Sequence, residues 1–361
     1  MTTTRIYKVI LTIGFVICFF TGCLMEERPE YKTNITTDTQ DSDFEQHQNE
    51  DISKTIEDNS GDVYEKDKLL TTTNYIHPIN FGVESDTLNI FGSLENDDHK
   101  YCAIVLNQTE KEMFPVVNGI VDCSVNLPDK EKEALVEIYV GASRYGNYKS
   151  IILDYVILKH NNGLWYFEKS PVYDNNNMIF SKLSASSEYL APSERIQSEN
   201  SDIAELAQSI TQNIDGDYMK AKAIHDWVSS NIHYDFDSLR IGSYENMDAL
   251  SVYATKKGVC EGYANLTAAL LRSLKIPCTV RGGYALGIDT NKKWSEKIIN
   301  GTETNHAWNE VFVDNRWIIV DSTWDSQNKY ENGNYTKGEF ITDVYFDSTL
   351  EYFSLSHKLM E

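Results

Sequence analysis

Three short stretches hold side chains that could act on one another. Gly-Val-Cys-Glu-Gly-Tyr-Ala occupies 258–264, Asn-His-Ala-Trp-Asn-Glu-Val 305–311, and Trp-Ile-Ile-Val-Asp-Ser-Thr-Trp-Asp 317–325. They offer a cysteine at the start of a helix, a histidine on a strand and an aspartate on the next strand. A thiol is a weak nucleophile at its free pKa of about 8.5, and a helix N-terminus favours its thiolate. An imidazole within reach can serve as base and then acid, and a carboxylate behind it fixes the tautomer and stabilises the imidazolium. Cys260, His306 and Asp321 are therefore expected to form one site. Gly258 leaves room for the chain to turn into the helix, whose first free N–H groups can cradle an oxyanion. Cys278, inside a hydrophobic strand-like run, reads instead as a buried structural thiol.

The elements that must position this set follow from periodicity. From Cys260 onward, Tyr263, Leu266, Leu270, Leu271 and Leu274 recur at helical spacing with small alanines between them, and Ile276-Pro277 stops the helix. His306–Val313 and Arg316–Ser322 flank Asp314-Asn315, a two-residue turn. With that loop Val313 faces Arg316, and His306 and Asp321 become diagonal neighbours on one face, ~7–8 Å apart at the backbone. Trp308 then lies opposite Asp321, where it can shield the pair from water. Upstream, Asp202 with Glu205 three residues on reads as an N-cap opening one helix. A second follows Asp217, with Ala221, Ile224, Val228 and Ile232 at helical spacing and Trp227 beside them. His225 and His233, on or near it, read as packing or surface residues. Helices followed by strands make an α+β arrangement.

Residues from about 70 to 180 have a different character. Short β-rich runs at 87–91, 101–106, 134–140, 150–158 and 164–168 are punctuated by Gly, Asn and Asp, and Asn161-Asn162-Gly163 reads as a hairpin turn. This spacing indicates a small antiparallel β-sandwich at 70–182, ahead of the second domain at 195–361. Cys102 and Cys123 sit in strand-like runs, either as a disulfide or as two separate buried thiols. The six cysteines form no C-x-x-C pair, so structural zinc is not indicated.

At 361 residues the chain is long enough for two domains, and its net charge of -23 excludes a nucleic-acid partner by repulsion from phosphates. Arg5 and Lys8 precede an uncharged run, Val9–Phe20, shorter than the ~20 residues needed to span a bilayer. It ends in Phe20-Thr21-Gly22-Cys23, which resembles the lipobox of bacterial lipoproteins, with Phe20 in place of the usual leucine. That resemblance implies a lipoprotein signal at 1–23, cleaved before Cys23 so that Cys23 is lipidated and becomes the mature N-terminus; an ordinary cleaved signal or an uncleaved anchor is the alternative. Each expectation places the protein outside the cytoplasm. Residues 24–69 are polar and acidic with isolated apolar residues, the composition of a disordered tether.

The three stretches together resemble the motifs of the transglutaminase-like superfamily. The similarity runs over roughly 200–361 and includes Ala-Ile-His-Asp-Trp-Val-Ser-Ser-Asn-Ile-His-Tyr-Asp ahead of the cysteine. It implies a papain-like α+β fold, with a cysteine-bearing helix packed on an antiparallel sheet that carries histidine and aspartate. By motif, Cys260 would be the nucleophile, His306 the general base and acid, and Asp321 the orienting carboxylate; Tyr253 would assist at the oxyanion. No clustered acidic calcium loop is present, so the calcium control of animal members is not implied. Cys260, His306 and Asp321 could ligate zinc, but no fourth ligand is evident, and no metal or other cofactor is expected. The sequence ends shortly after Tyr352–His357, leaving little room for a substrate-selecting third domain. The function implied is an exported, membrane-anchored thiol enzyme acting on amide groups of protein or cell-wall peptides by transamidation or hydrolysis. The competing class is a cell-surface binding or adhesion module with an inactive thiol domain.

Overall fold

The computed structural model describes residues 68–360 apart from 96–97, 109, 146–148, 151–155, 185 and 288–292. The signal-like segment with Cys23, and the tether as far as residue 67, lie outside the described residues. No described helix is long and apolar enough to cross a membrane.

Alternating apolar and polar residues build the first ten strands. These are β1 (Leu69–Thr71), β2 (Ile79–Glu84), β3 (Thr87–Ser93), β4 (Tyr101–Leu106) and β5 (Glu110–Pro115). They continue with β6 (Ile120–Asn126), β7 (Glu133–Gly141), β8 (Lys149–Ser150), β9 (Val156–Asn161) and β10 (Leu164–Phe167). One sheet has the order β1-β2-β3-β6 and the other β10-β9-β7-β4-β5, with β8 on β7, and the strands pair antiparallel. Phe81, Leu88 and Ile90 from one sheet and Ile104, Ile138 and Leu158 from the other share one apolar core. The β9–β10 hairpin turns at Asn162 and Gly163, both with positive φ, as the Asn-Gly pair requires. Of the expected run at 150–158, residues 151–155 lie outside the described residues. Cys102 and Cys123 are both buried and free, and the neighbouring Cys123 together with burial pushes the Cys102 thiol far up.

The rest of the chain interleaves helices with short strands. α1 (Tyr173–Phe180), α2 (Ser201–Ile210) and α3 (Asp217–Asn231) lead to β11 (His233–Asp235), α4 (Phe236–Ile241), α5 (Ala249–Thr255) and β12 (Lys257–Gly258). Next come α6 (Cys260–Ser273), β13 (Cys278–Ala285), α7 (Glu296–Asn300), β14 (His306–Val313) and β15 (Arg316–Val320). β16 (Lys329–Glu331), β17 (Asn334–Thr336), α8 (Leu350–Phe353) and β18 (His357–Leu359) complete it. The cap of α2 is Asn200, whose side chain accepts from Asp202 N, and not Asp202 itself. Asn and Asp cap almost equally well, and the earlier one took the position.

The sheet that matters has the order β15-β14-β13-β18, all antiparallel. One face carries Val311, Val313, Ile318 and Val320, which pack with Leu266, Leu270 and Leu271 of the buried helix α6. The other face carries Trp308 and Ile319, which join the apolar core of the sandwich through Tyr345, Tyr352 and Phe353. The described residues accordingly fall in one compact unit. Backbone bonds reinforce the seam: Asn74 N donates to Asp347 O at 2.9 Å and Thr349 N to Thr72 O at 3.0 Å. Gly283 on β13 sits beside His306 in register, and a Cβ there would overlap the Trp308 indole and the Lys358 carbonyl. We expect Gly283→Ala to cost about 1–3 kcal/mol in urea denaturation, the usual penalty of overpacking. An unchanged midpoint would contradict this placement of Trp308.

Candidate active site

Cys260 opens α6 directly after Val259, which caps the helix without a side-chain bond. Tight packing fixes that start. At Gly262, two residues on, a Cβ would press on the Val252 side chain at 2.8 Å and the Met247 sulfur at 3.2 Å and force those side chains to shift. Asn265 donates to the Met247 carbonyl at 2.9 Å. Asn309 of β14 donates to the Ala264 carbonyl at 3.0 Å and so ties the helix to the strand that begins with His306. The sulfur is only part-buried, whereas Cys278 is fully buried on β13 and burial pushes its thiol up to about 12.

The β14–β15 hairpin has the register expected from a two-residue loop. Val313 pairs with Arg316 and Asn309 with Val320, while Asp314 and Asn315 both take positive φ. Asp321 follows one residue past the ladder, and its Oδ2 accepts from His306 Nε2 at 2.6 Å. The other imidazole nitrogen is left for the thiol, and Cys260 is among the groups that raise the His306 pKa. His306 and Asp321 are thus hydrogen-bonded, with Cys260 as their electrostatic neighbour.

Burial decides the electrostatics. Desolvation alone would lower the His306 pKa, but the adjacent Asp321 carboxylate, its hydrogen bond to the ring and then the influence of Cys260 raise it to about 10. Desolvation would likewise raise Asp321, yet His306 overcomes it and holds the carboxyl well below the usual range. Asp321 Oδ1 accepts from the backbone N–H of Thr323 at 3.0 Å and of Trp324 at 3.2 Å, satisfying the second oxygen. Trp308 and Trp324 wall the imidazole, with ring centroids 5.9 and 5.7 Å from His306.

Several contributors were not found in the sequence. Tyr234 pairs in register with Gly258 between β11 and β12, and burial, then the charge at Cys260, keep its hydroxyl protonated above the usual range. The Tyr253 ring lies 6.3 Å from Trp227 and carries Lys256 Nζ at 3.8 Å. His225 is fully buried and bonds Asp325 Oδ2 at 2.9 Å and Asp226 Oδ1 at 2.8 Å. Burial would lower its pKa, but these two carboxylates raise it to about 9. Asp325 Oδ2 also accepts from Tyr345 N at 2.9 Å, so His225 braces the loop that bears Asp321. His357 lies 3.6 Å from Asp321 Oδ2, which brings His306, Asp321 and His357 within ligand distance of one another. The 2.6 Å between His306 and Asp321 is shorter than the roughly 3.3 Å between two ligands of a tetrahedral zinc ion, and fits a direct hydrogen bond. A cavity of about 470 Å³ at the seam near Glu95, Asp226 and Asp343 is lined by none of Cys260, His306 and Asp321.

The pair sets a pH dependence of stability. His306, raised from 6.5 to about 10, contributes stability that is fully present below pH 6.5 and is lost as pH rises through about 10. Asp321, lowered from 3.8, contributes above that value and loses its contribution as pH falls below it. The stability margin of native protein over Asp321→Asn, read from urea midpoints, should be widest between pH 3.8 and 6.5 and shrink towards pH 10. A margin independent of pH would contradict the pairing.

Residues 204–322 match the family model described as the transglutaminase-like superfamily, a span that contains Cys260, His306 and Asp321. The chain is 29% identical over 150 residues to kyphoscoliosis peptidase of Mus musculus, covering 41% of this chain and 21% of that protein. It is 30% identical over 165 residues to the uncharacterized protein YebA of Bacillus subtilis (strain 168), covering 43% and 22%. The match therefore spans about a fifth of the length of these relatives. A Cytophaga hutchinsonii protein provisionally described as a cysteine protease, solved by crystallography, is similar at 22% identity and a TM-score of 0.31, over 68% of this chain and 74% of that one. Residues 204–322 of this chain, with the helix-borne cysteine and the strand-borne histidine, are a transglutaminase-like superfamily domain.

Proposed function

We propose that the protein is an exported, lipid-anchored thiol enzyme that forms an acyl-enzyme at Cys260 on amide groups of proteins or cell-wall peptides. The observation that carries this reading is the hydrogen bond from His306 to the buried Asp321, with Cys260 electrostatically coupled to the same imidazole. In the proposed cycle the sulfur attacks the carbonyl carbon of a carboxamide or peptide bond. His306 gives its proton to the departing amine as the C–N bond breaks, and a thioester remains. An amine or a water molecule then attacks the thioester, loses its proton to His306 and releases Cys260. The first case is transamidation and the second hydrolysis or deamidation.

The oxyanion would form where the uncapped start of α6 presents its N–H groups, with the Tyr234 hydroxyl as a second donor. Export and anchoring rest on the pattern of residues 1–23 and Cys23, and a peptide substrate outside the cytoplasm follows from that placement.

Alkylation by iodoacetamide, resolved by peptide mass spectrometry, tests the thiol reading. Cys260 should react fastest of the cysteines, the reaction should vanish in Cys260→Ala, and His306→Ala should slow it about a hundredfold. Reaction indifferent to His306 would sink the catalytic reading and favour a binding module. Tyr234→Phe should lower the rate of acylation by an amide substrate about a hundredfold while leaving alkylation, which develops no oxyanion, unchanged. An equal loss in both reactions would mean that Tyr234 serves the fold alone.

A further inference from the structure

β18 is short and lies at the edge of the sheet, yet it is tied down strongly. It pairs with β13, and the buried side chain of Asn176 on α1 donates to the His357 carbonyl at 2.8 Å and accepts from Leu359 N at 2.8 Å. The residue so held is fully buried. The His357 ring stacks on Phe353 with centroids 4.1 Å apart and lies 4.3 Å from the Trp324 ring. Its Nδ1 is 2.8 Å from Ser356 Oγ, and its Nε2 has no hydrogen-bond partner of ordinary length. A buried polar nitrogen left in that state costs about 1–3 kcal/mol, so its direction is informative. It points at Asp321: Nε2 lies 3.6 Å from Oδ2, the same oxygen that accepts from His306.

We infer that His357 is a positioning residue, a neutral imidazole whose Nε2–H faces the Asp321 carboxylate and keeps it ionised and aimed at His306. The inference rests on the reading of Cys260, His306 and Asp321 as one thiol site. The tautomer follows from the partners. A lone pair on Nε2 facing a carboxylate would be repelled, so the proton sits on Nε2 and Nδ1 accepts from the Ser356 hydroxyl. Burial lowers the His357 pKa to about 4, so the ring is neutral at ordinary pH and adds a dipole, not a second charge, beside the imidazolium. The other ionisable groups near Asp321 and His357 are His306, Cys260 at the start of α6, Tyr234 on β11, Asp325 in the same loop, and Tyr345, whose ring lies 5.5 Å from His357. Without the Nε2–H dipole the negative potential at the site rises, which disfavours the thiolate and moves the acid limb of its reactivity to higher pH.

The test is the pH profile of Cys260 alkylation in the full chain, compared among native protein, His306→Ala, His357→Phe, His357→Gln and Ser356→Ala. Phenylalanine keeps the stack and removes the donor, and glutamine restores an N–H. His357→Phe should slow alkylation about tenfold on the acid limb, the worth of one hydrogen bond to an ionised acceptor, with the limb displaced upwards. His357→Gln should bring it back towards native. Ser356→Ala, which frees the tautomer without touching the ring, should displace the limb in the same direction and keeps the test decisive if His357→Phe does not fold. A packing role would change melting temperature and leave the position of the limb alone. Superimposable native, His357→Phe and Ser356→Ala profiles, or a displacement that His357→Gln leaves uncorrected, would overturn the inference. A native profile that ignores His306→Ala would instead bring down the thiol reading itself, so the two failures are distinguishable.

Discussion

A carboxylate with no access to water is expensive unless its charge is matched and both oxygens are bonded. Asp321 meets that demand with backbone N–H groups on Oδ1 and the His306 imidazole on Oδ2. Much of the surrounding structure serves to keep those partners in place. The tight β14–β15 turn sets the register that brings His306 and Asp321 onto one diagonal. His225, reaching from α3 to Asp325, braces the loop on the far side of Asp321. Trp308 fits because Gly283 leaves it space. Removing one partner would leave an uncompensated buried charge, which makes the pair a single unit and not two additive contacts.

The same constraint explains the place of the sandwich in the fold. The sheet face bearing Trp308 and Ile319 is covered by residues that share a core with the sandwich strands. Without that cover the Trp308 side of the site would be open to solvent and the charges would be screened. The sandwich therefore acts on the site through dielectric as well as through packing, even though the reactive side chains lie in the second half of the chain. α1 continues this role, since Asn176 fastens β18 and with it the ring of His357.

Local periodicity carried the helix, the hairpin and the diagonal pair, because a period of 3.6, a period of 2 and a two-residue turn leave unambiguous marks in sequence. The turn pair Asp314-Asn315 was enough to fix the register of β14 against β15 from Asn309 to Val313. What could not be read were side chains brought in from distant segments. His225 lies a hundred residues from Asp325, and His357 meets Asp321 from the other edge of the sheet. A lone histidine on an apolar helix or strand gives no sign of its partner, so His225 read as packing and His357 was not singled out. Tyr234 and Tyr253 illustrate the same limit. The motif pointed to Tyr253, whose ring meets Trp227 and Lys256, and gave no sign that a parallel strand pair carries Tyr234 back beside Gly258. The α2 cap slipped for a smaller reason, two competent capping residues in succession.

The central claim is that buried Asp321 holds His306 in its charged form beside Cys260. Its most direct test is a nuclear magnetic resonance titration of histidine-labelled protein, with the His306 signal identified by its absence in His306→Ala. The account predicts that His306 keeps its proton up to about pH 10 and that Asp321→Asn brings the transition down towards the ordinary 6.5. A His306 transition already near 6.5 in native protein, unmoved by Asp321→Asn, would contradict it.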